Sequence, residues 1–112
     1  MQHTARANAS NLTLLQAAAL LSGASAWNSR AIPTAHIPSF VMSDGPHGVR
    51  RQLGDADHLG IADSEKATCF PTASALAATW NPDLARQMGE ALGVEARGLG
   101  VNVLLGPVWT QL

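Results

Sequence analysis

The 112-residue sequence has no tyrosine, one cysteine, and only seven basic and eight acidic residues. A single cysteine excludes an internal disulfide and a cysteine-rich zinc site. Cys69 lies in the apolar run Ala67-Thr68-Cys69-Phe70, where it reads as a small core residue, not a nucleophile. A net charge of −1 leaves no electrostatic footprint for nucleic acid or an anionic membrane. No apolar run approaches the length that crosses a bilayer. No glycine-rich phosphate loop, nucleophile elbow or dinucleotide fingerprint appears, so kinase, triad-hydrolase and dinucleotide-enzyme readings have no support and no cofactor is expected. His36, His47 and His58 recur at equal intervals, but that spacing matches no helical face and nothing nearby completes a ligand set, so no metal site is expected. What remains is 46% hydrophobic, enough for a packed core and unlike a disordered tail.

The first ten residues show no periodicity. Leu14, Leu15, Ala18, Ala19 and Leu21 then recur at helical spacing, with Asn11 or Thr13 able to cap the start and Gly23 able to end it. The rival reading is a signal peptide, because Arg6 precedes an apolar stretch and Ala24-Ser25-Ala26 imitates a cleavage site; Gln16 interrupts that stretch. A cytoplasmic chain is therefore expected, with secretion as the alternative. The sequons at Asn8 and Asn11 matter only in the secreted case.

A connector punctuated by Pro33 and Pro38 leads into Ile37-Pro38-Ser39-Phe40-Val41-Met42, which reads as a strand. The strand delivers Ser43-Asp44-Gly45-Pro46-His47-Gly48-Val49-Arg50, placing Asp44 at a carboxyl end, where ligands bind in parallel α/β folds. Arg50 brings a planar cationic fork that can pair with Asp44 or share a polyhydroxylated ligand with it. The plainer reading is that Asp-Gly-Pro is simply a turn. Residues 51–66 read as a long surface loop, 67–70 as a short buried strand, and 72–79 as a helix. Asn81-Pro82-Asp83 opens the clearest helix, which runs to about Arg97, with Arg97 and Gly98 marking the stop. Its expected buried stripe is Leu84, Met88, Ala91, Leu92 and Glu95. The apolar run 101–105 closes a strand–helix–strand pattern that belongs to a parallel sheet.

Glycoside hydrolysis needs two carboxylates flanking one bond, and no convincing pair is present. Asp83 and Glu90 read as ordinary helix carboxylates, and Glu95, with Arg97, as a tie between the helix and its neighbours.

An ordered set of motifs carries a resemblance: Leu20-Leu21-Ser22-Gly23, Ile37-Pro38, the octapeptide 43–50, Ala67-Thr68-Cys69-Phe70-Pro71, Gly93-Val94-Glu95-Ala96-Arg97 and Leu104-Leu105-Gly106-Pro107. Residues 12–107 resemble the start of the N-terminal domain of family 3 glycoside hydrolases, the β-glucosidase family. The resemblance implies an α/β fold of (β/α)₈ TIM-barrel type, of which the first two or three strands with their helices would be present. It also implies that Asp44 grips hydroxyls of the non-reducing-end sugar and that Arg50 contacts the same sugar. In the family, Leu-Leu-Gly-Pro continues into Gly-x-Asn-Ile-x-Arg, whereas Val108-Trp109-Thr110-Gln111-Leu112 stands here. The family's later sugar-binding arginine and Lys-His pair, its nucleophilic aspartate and its general-acid glutamate have no counterpart.

The expectation is therefore a disordered lead over 1–11, an N-terminal, truncated piece of the barrel domain over 12–107, and a divergent tail over 108–112. Asp44 and Arg50 are its substrate-binding residues, and no catalytic residue is expected. Its implied partners are a β-glucoside or oligosaccharide and the missing remainder of the enzyme. The alternatives are a non-catalytic sugar-binding or interaction module, or a product with no function of its own.

Overall fold

The computed structural model describes residues 11–53 and 63–106. The expected lead over 1–11 except Asn11, the tail over 108–112, the Asn8 sequon, His58 and the middle of the 51–66 loop lie outside the described residues. Two compact units divide at residue 41.

In the first unit, α1 covers Leu14–Leu20. Thr13 caps it: its hydroxyl accepts from the Gln16 amide at 3.2 Å, while Gln16 Oε1 accepts from the Thr13 amide at 2.9 Å. Both orphan donors are thereby satisfied in a reciprocal box. Gln16, which breaks the apolar pattern in the sequence, is thus the residue that starts the helix, and its Nε2 donates onward to Thr34 at 3.0 Å. Thr34 belongs to a 3₁₀ turn, Pro33–Ala35, closed by His36 in the left-handed region. Buried Ser29 organises the end of the unit, since its amide and hydroxyl both bond Phe40, at 3.0 Å to the carbonyl and 2.8 Å from the amide.

In the second unit, β1 is Met42–Ser43 and β2 is Val103–Leu104, paired in parallel with Met42 opposite Val103 and Ser43 opposite Leu104. Between them in the chain come α2, Ala73–Ala78, capped by Thr72, and α3, Pro82–Gly98, capped by Asn81, whose Oδ1 accepts from the Leu84 amide at 3.0 Å. The α/β reading and the parallel pairing hold. Both strands are shorter than the apolar runs that announce them, because the flanking backbone groups are engaged elsewhere. Phe40 spends its donor and acceptor on Ser29, and Pro38 has no N–H to offer a ladder.

At the other end, the Val101 amide donates to the Ala96 carbonyl at 2.8 Å and the Gly100 amide to Arg97 at 3.1 Å. With Gly100 at φ +73°, this is a Schellman cap. The helix ends at Gly98, where Arg97 and Gly98 mark the expected stop, and Gly100 completes the cap beyond it. The buried stripe is displaced from the expected one: Leu92 and Ala96 are buried, Ala85, Met88, Glu95 and Leu99 are half-buried, and Leu84 and Ala91 are exposed. One turn covers several side chains, so a one-residue error in phase moves half of a stripe.

Residues 67–70 form no strand, contrary to expectation, and Cys69 is exposed, not a core residue. The Thr68 amide is taken by the Glu95 carboxylate and the Phe70 amide by the His47 carbonyl, at 2.9 and 2.7 Å. With these backbone donors taken by other partners, no ladder forms, and Thr68 and Cys69 are exposed while Phe70 is half-buried. The two ends of the 51–66 loop do meet: Leu53 donates to Asp63 and Glu65 to Arg51, at 2.8 and 2.7 Å.

The apolar surface is unevenly covered. Leu14, Leu15 and Leu21 are 86%, 83% and 92% exposed, and Trp80 is 91% exposed with φ +51°. Exposed apolar patches drive association. The 112-residue chain is therefore expected to bind a hydrophobic dye and to elute above its monomer mass in size-exclusion chromatography. Replacing Leu14, Leu15 and Leu21 together by serine is expected to lower both signals; a dye-silent monomer before substitution contradicts this.

Candidate functional site

Asp44 follows β1 directly, as the sequence pattern requires. Ser43 is the anchor. It is 1% exposed, its carbonyl accepts from the Leu105 amide at 2.7 Å, and its hydroxyl donates to the Arg50 carbonyl at 2.6 Å. The Arg50 amide in turn donates to the Asp44 carbonyl at 2.8 Å, forming a single antiparallel bridge. Residues 45–49 are thereby cinched into a closed loop with Asp44 and Arg50 side by side at its neck.

Two glycines make the closure sterically feasible. A Cβ on Gly45 would run into the Gly48 carbonyl. Gly48 sits at φ +147°, and a Cβ there would strike the Thr68 carbonyl. Only glycine tolerates both the crowding and the positive φ. Val49 is buried and pins the far limb of the loop.

Of the two roles open to Arg50, pairing with Asp44 is the one observed. Nε lies 3.1 Å and Nη2 2.8 Å from the same oxygen, Asp44 Oδ1. Both donors converge on one oxygen, so Oδ2 has no protein hydrogen-bond partner among the described residues and can accept from a ligand hydroxyl. The side chains are 34% (Arg50) and 38% (Asp44) exposed, so the pair contributes about 1 kcal/mol or less to stability in water. Its structural effect is orientation: the guanidinium holds the carboxylate in one rotamer. Beside the pair, residues 45–50, 64–65 and 67–69 border an open cleft of about 250 Å³, lined by Arg50 but not by Asp44. A ligand held by both side chains therefore sits at the rim of that cleft.

Of the other acidic residues described, Glu65 lines the same cleft, and the helix carboxylates lie away from it. Asp83 is in the first turn of α3, and Glu90 pairs with Arg86 one turn away at 2.6 Å on the exposed face. Glu95 does tie the helix to its neighbour, as expected, through Thr68. Sequence reasoning assigned no task to Ser43 or Thr68. The burial of a serine at the end of an apolar run is the only signal for the first, and none existed for the second. Among the described residues no cluster of three potential metal ligands occurs, and no helix is long and apolar enough to cross a membrane.

The glycosyl hydrolase family 3 N-terminal domain model matches residues 6–110. The chain belongs to that family. It is 44% identical over 96 residues to thermostable β-glucosidase B of Acetivibrio thermocellus, a match covering 86% of this chain and 13% of that enzyme. It is 43% identical over 98 residues to an exo-α-(1→6)-L-arabinopyranosidase of Bifidobacterium longum, covering 87% and 13%. The crystal structure of a β-glucosidase from Kluyveromyces marxianus in complex with glucose superposes with a TM-score of 0.78 at 29% identity, covering 93% of this chain and 12% of that one. The chain thus spans about an eighth of the length of the relatives it matches.

The neck of the loop depends most on the Ser43 hydroxyl. Ser43→Ala removes the hydroxyl that donates to the Arg50 carbonyl and is expected to cost about 1–3 kcal/mol, read as a lowered midpoint in urea titration. Ser43→Thr, which keeps the hydroxyl, is expected to lose less than half of that.

Proposed function

We propose that this chain is the opening of a (β/α)₈ barrel in a glycoside hydrolase that releases sugar from β-glucosides or related oligosaccharides, and that Asp44 and Arg50 bind the sugar. The observation that carries the reading is the Asp44–Arg50 pair at the carboxyl end of a strand in a parallel pair. A carboxylate whose second oxygen is available, beside a guanidinium, matches the alternating donors and acceptors of vicinal hydroxyls. The enzymes it resembles are named for acting on pyranosides, glucosidic in one case and arabinosidic in the other, and a glucose complex is among the similar structures.

In this mechanism Asp44 contributes binding energy and orientation, not covalent chemistry. Oδ1 is already committed to Arg50. Oδ2 accepts a hydrogen bond from a sugar hydroxyl, and because Arg50 orients the carboxylate beforehand, less rotamer entropy is lost on binding. Bond cleavage requires a nucleophile and a general acid from elsewhere in such an enzyme, since one carboxylate on a binding loop can neither form nor hydrolyse a glycosyl intermediate.

Two measurements test this. The 112-residue chain is expected to release no aglycone from an aryl β-glucoside above the rate in buffer; turnover abolished by Asp44→Ala would mean that catalytic partners lie within it. When residues 12–106 replace the matching segment of the Acetivibrio enzyme, Asp44→Ala is expected to raise the barrier, read from kcat/KM, by about 2–5 kcal/mol, the cost of unpairing a charged hydrogen bond that bound sugar covers. Arg50→Lys is expected to impair it as well, because the planar fork is lost. Unchanged kinetics in both would reduce the loop to a turn.

A further inference from the structure

The Asp44–Arg50 loop is braced from behind by a carboxylate half the chain away. Glu95, half-buried on α3, uses one oxygen for two bonds: Oε1 accepts from the Thr68 amide at 2.9 Å and from the Thr68 hydroxyl at 2.8 Å. Thr68 is the residue whose carbonyl meets Gly48 at the point where any Cβ would collide. Two residues on, the Phe70 amide donates to the His47 carbonyl at 2.7 Å, and the Phe70 ring lies against Gly48. Contacts therefore run without a gap from α3 through residues 68–70 to Gly48, and from Gly48 to the neck where Asp44 and Arg50 pair. Among the described residues no other hydrogen bond ties the Thr68 backbone to a regular element: residues 67–70 belong to no strand and are largely exposed.

We propose that Glu95 is a positioning residue for the sugar-binding loop. By fixing the Thr68 peptide it sets the surface against which Gly48 seats, and so sets the separation and facing of Asp44 and Arg50. Its contribution is acceptor geometry at Oε1, because Oε2 is buried and has no hydrogen-bond partner among the described residues. Glutamine at this position retains the carbonyl acceptor at the same reach. Aspartate, shorter by one methylene, withdraws it.

The proposal concerns the sugar site described above and rests on that reading, but its first test does not. Hydrogen exchange of the full 112-residue chain, followed by mass spectrometry, reports peptides covering 45–53 and 67–70 separately. Glu95→Ala is expected to speed exchange in both, by roughly tenfold or more, as expected for loss of a charge-assisted hydrogen bond. Glu95→Gln is expected to stay within about twofold of the parent in the same segments, and Glu95→Asp to resemble Ala. Thr68→Val, which removes only the hydroxyl bond, gives a milder variant should Glu95→Ala fail to fold, and it is expected to speed exchange in both segments by a smaller factor.

Faster exchange confined to 67–70, with 45–53 unchanged, overturns the proposal, as does a Gln variant no better than Ala. In the Acetivibrio hybrid, Glu95→Ala is expected to raise KM for an aryl β-glucoside more than it lowers kcat, with recovery in Glu95→Gln; a fall in kcat alone overturns it. If Asp44→Ala leaves the hybrid unchanged while the exchange pattern holds, the sugar-site reading fails and the bracing by Glu95 stands.

Discussion

The loop that carries Asp44 and Arg50 depends on what happens at Ser43. Its carbonyl closes the parallel pair through Leu105, and its hydroxyl closes the loop through the Arg50 carbonyl. A serine hydroxyl at a nearly inaccessible position is costly unless it is bonded, and here the satisfying acceptor is the backbone of the residue that the loop must return. One side chain thus converts the end of a two-residue strand into a fixed platform. The Asp44–Arg50 ion pair, exposed to water and worth little by itself, gains its definition from that platform.

A shortage of regular pairing runs through the second unit, and backbone donors are redistributed to make up for it. Thr68 gives its amide to a helix carboxylate, Phe70 to a loop carbonyl, and Val101 to the last turn of α3. Buried backbone groups must find partners somewhere, and each of these choices removes a residue from a possible ladder while attaching a loop to the helix. The result is a site held by individually placed hydrogen bonds around a small apolar set, Val49, Leu92, Ala96 and Val101. Helix ends are completed in the same local way, by Thr72, Asn81 and Gly100, which suits a unit whose large apolar side chains at Trp80 and Leu84 are still exposed.

Membership of glycosyl hydrolase family 3 gives this economy a context. The relatives are about eight times longer than the matched segment, and a barrel of the kind proposed holds its strands through neighbours on both sides. In the proposed reading the loop presents a preoriented acceptor, so that binding costs little ordering at the moment the sugar arrives.

The sequence alone determined the elements that rest on local chemistry. The Asn81-Pro82-Asp83 start, the helix over 72–79, the parallel strand–helix–strand order and the placement of Asp44 at a strand's carboxyl end all follow from caps, proline and apolar runs acting over a few residues. The motif set 12–107 was legible for the same reason and led to the family. Tertiary structure decided what depends on partners distant in the chain. Phe40 left the strand because Ser29 claimed its backbone, and 67–70 left the core because Glu95 and His47 claimed theirs, carrying Cys69 to the surface. The phase of the α3 stripe also fell to packing, because periodicity fixes the spacing of an apolar face but not which neighbour it meets. Above all, Ser43 and Thr68 acquire their tasks only when the Arg50 carbonyl and the Glu95 carboxylate are brought to them, 7 and 27 residues away, and no local pattern encodes a hydrogen bond of that reach.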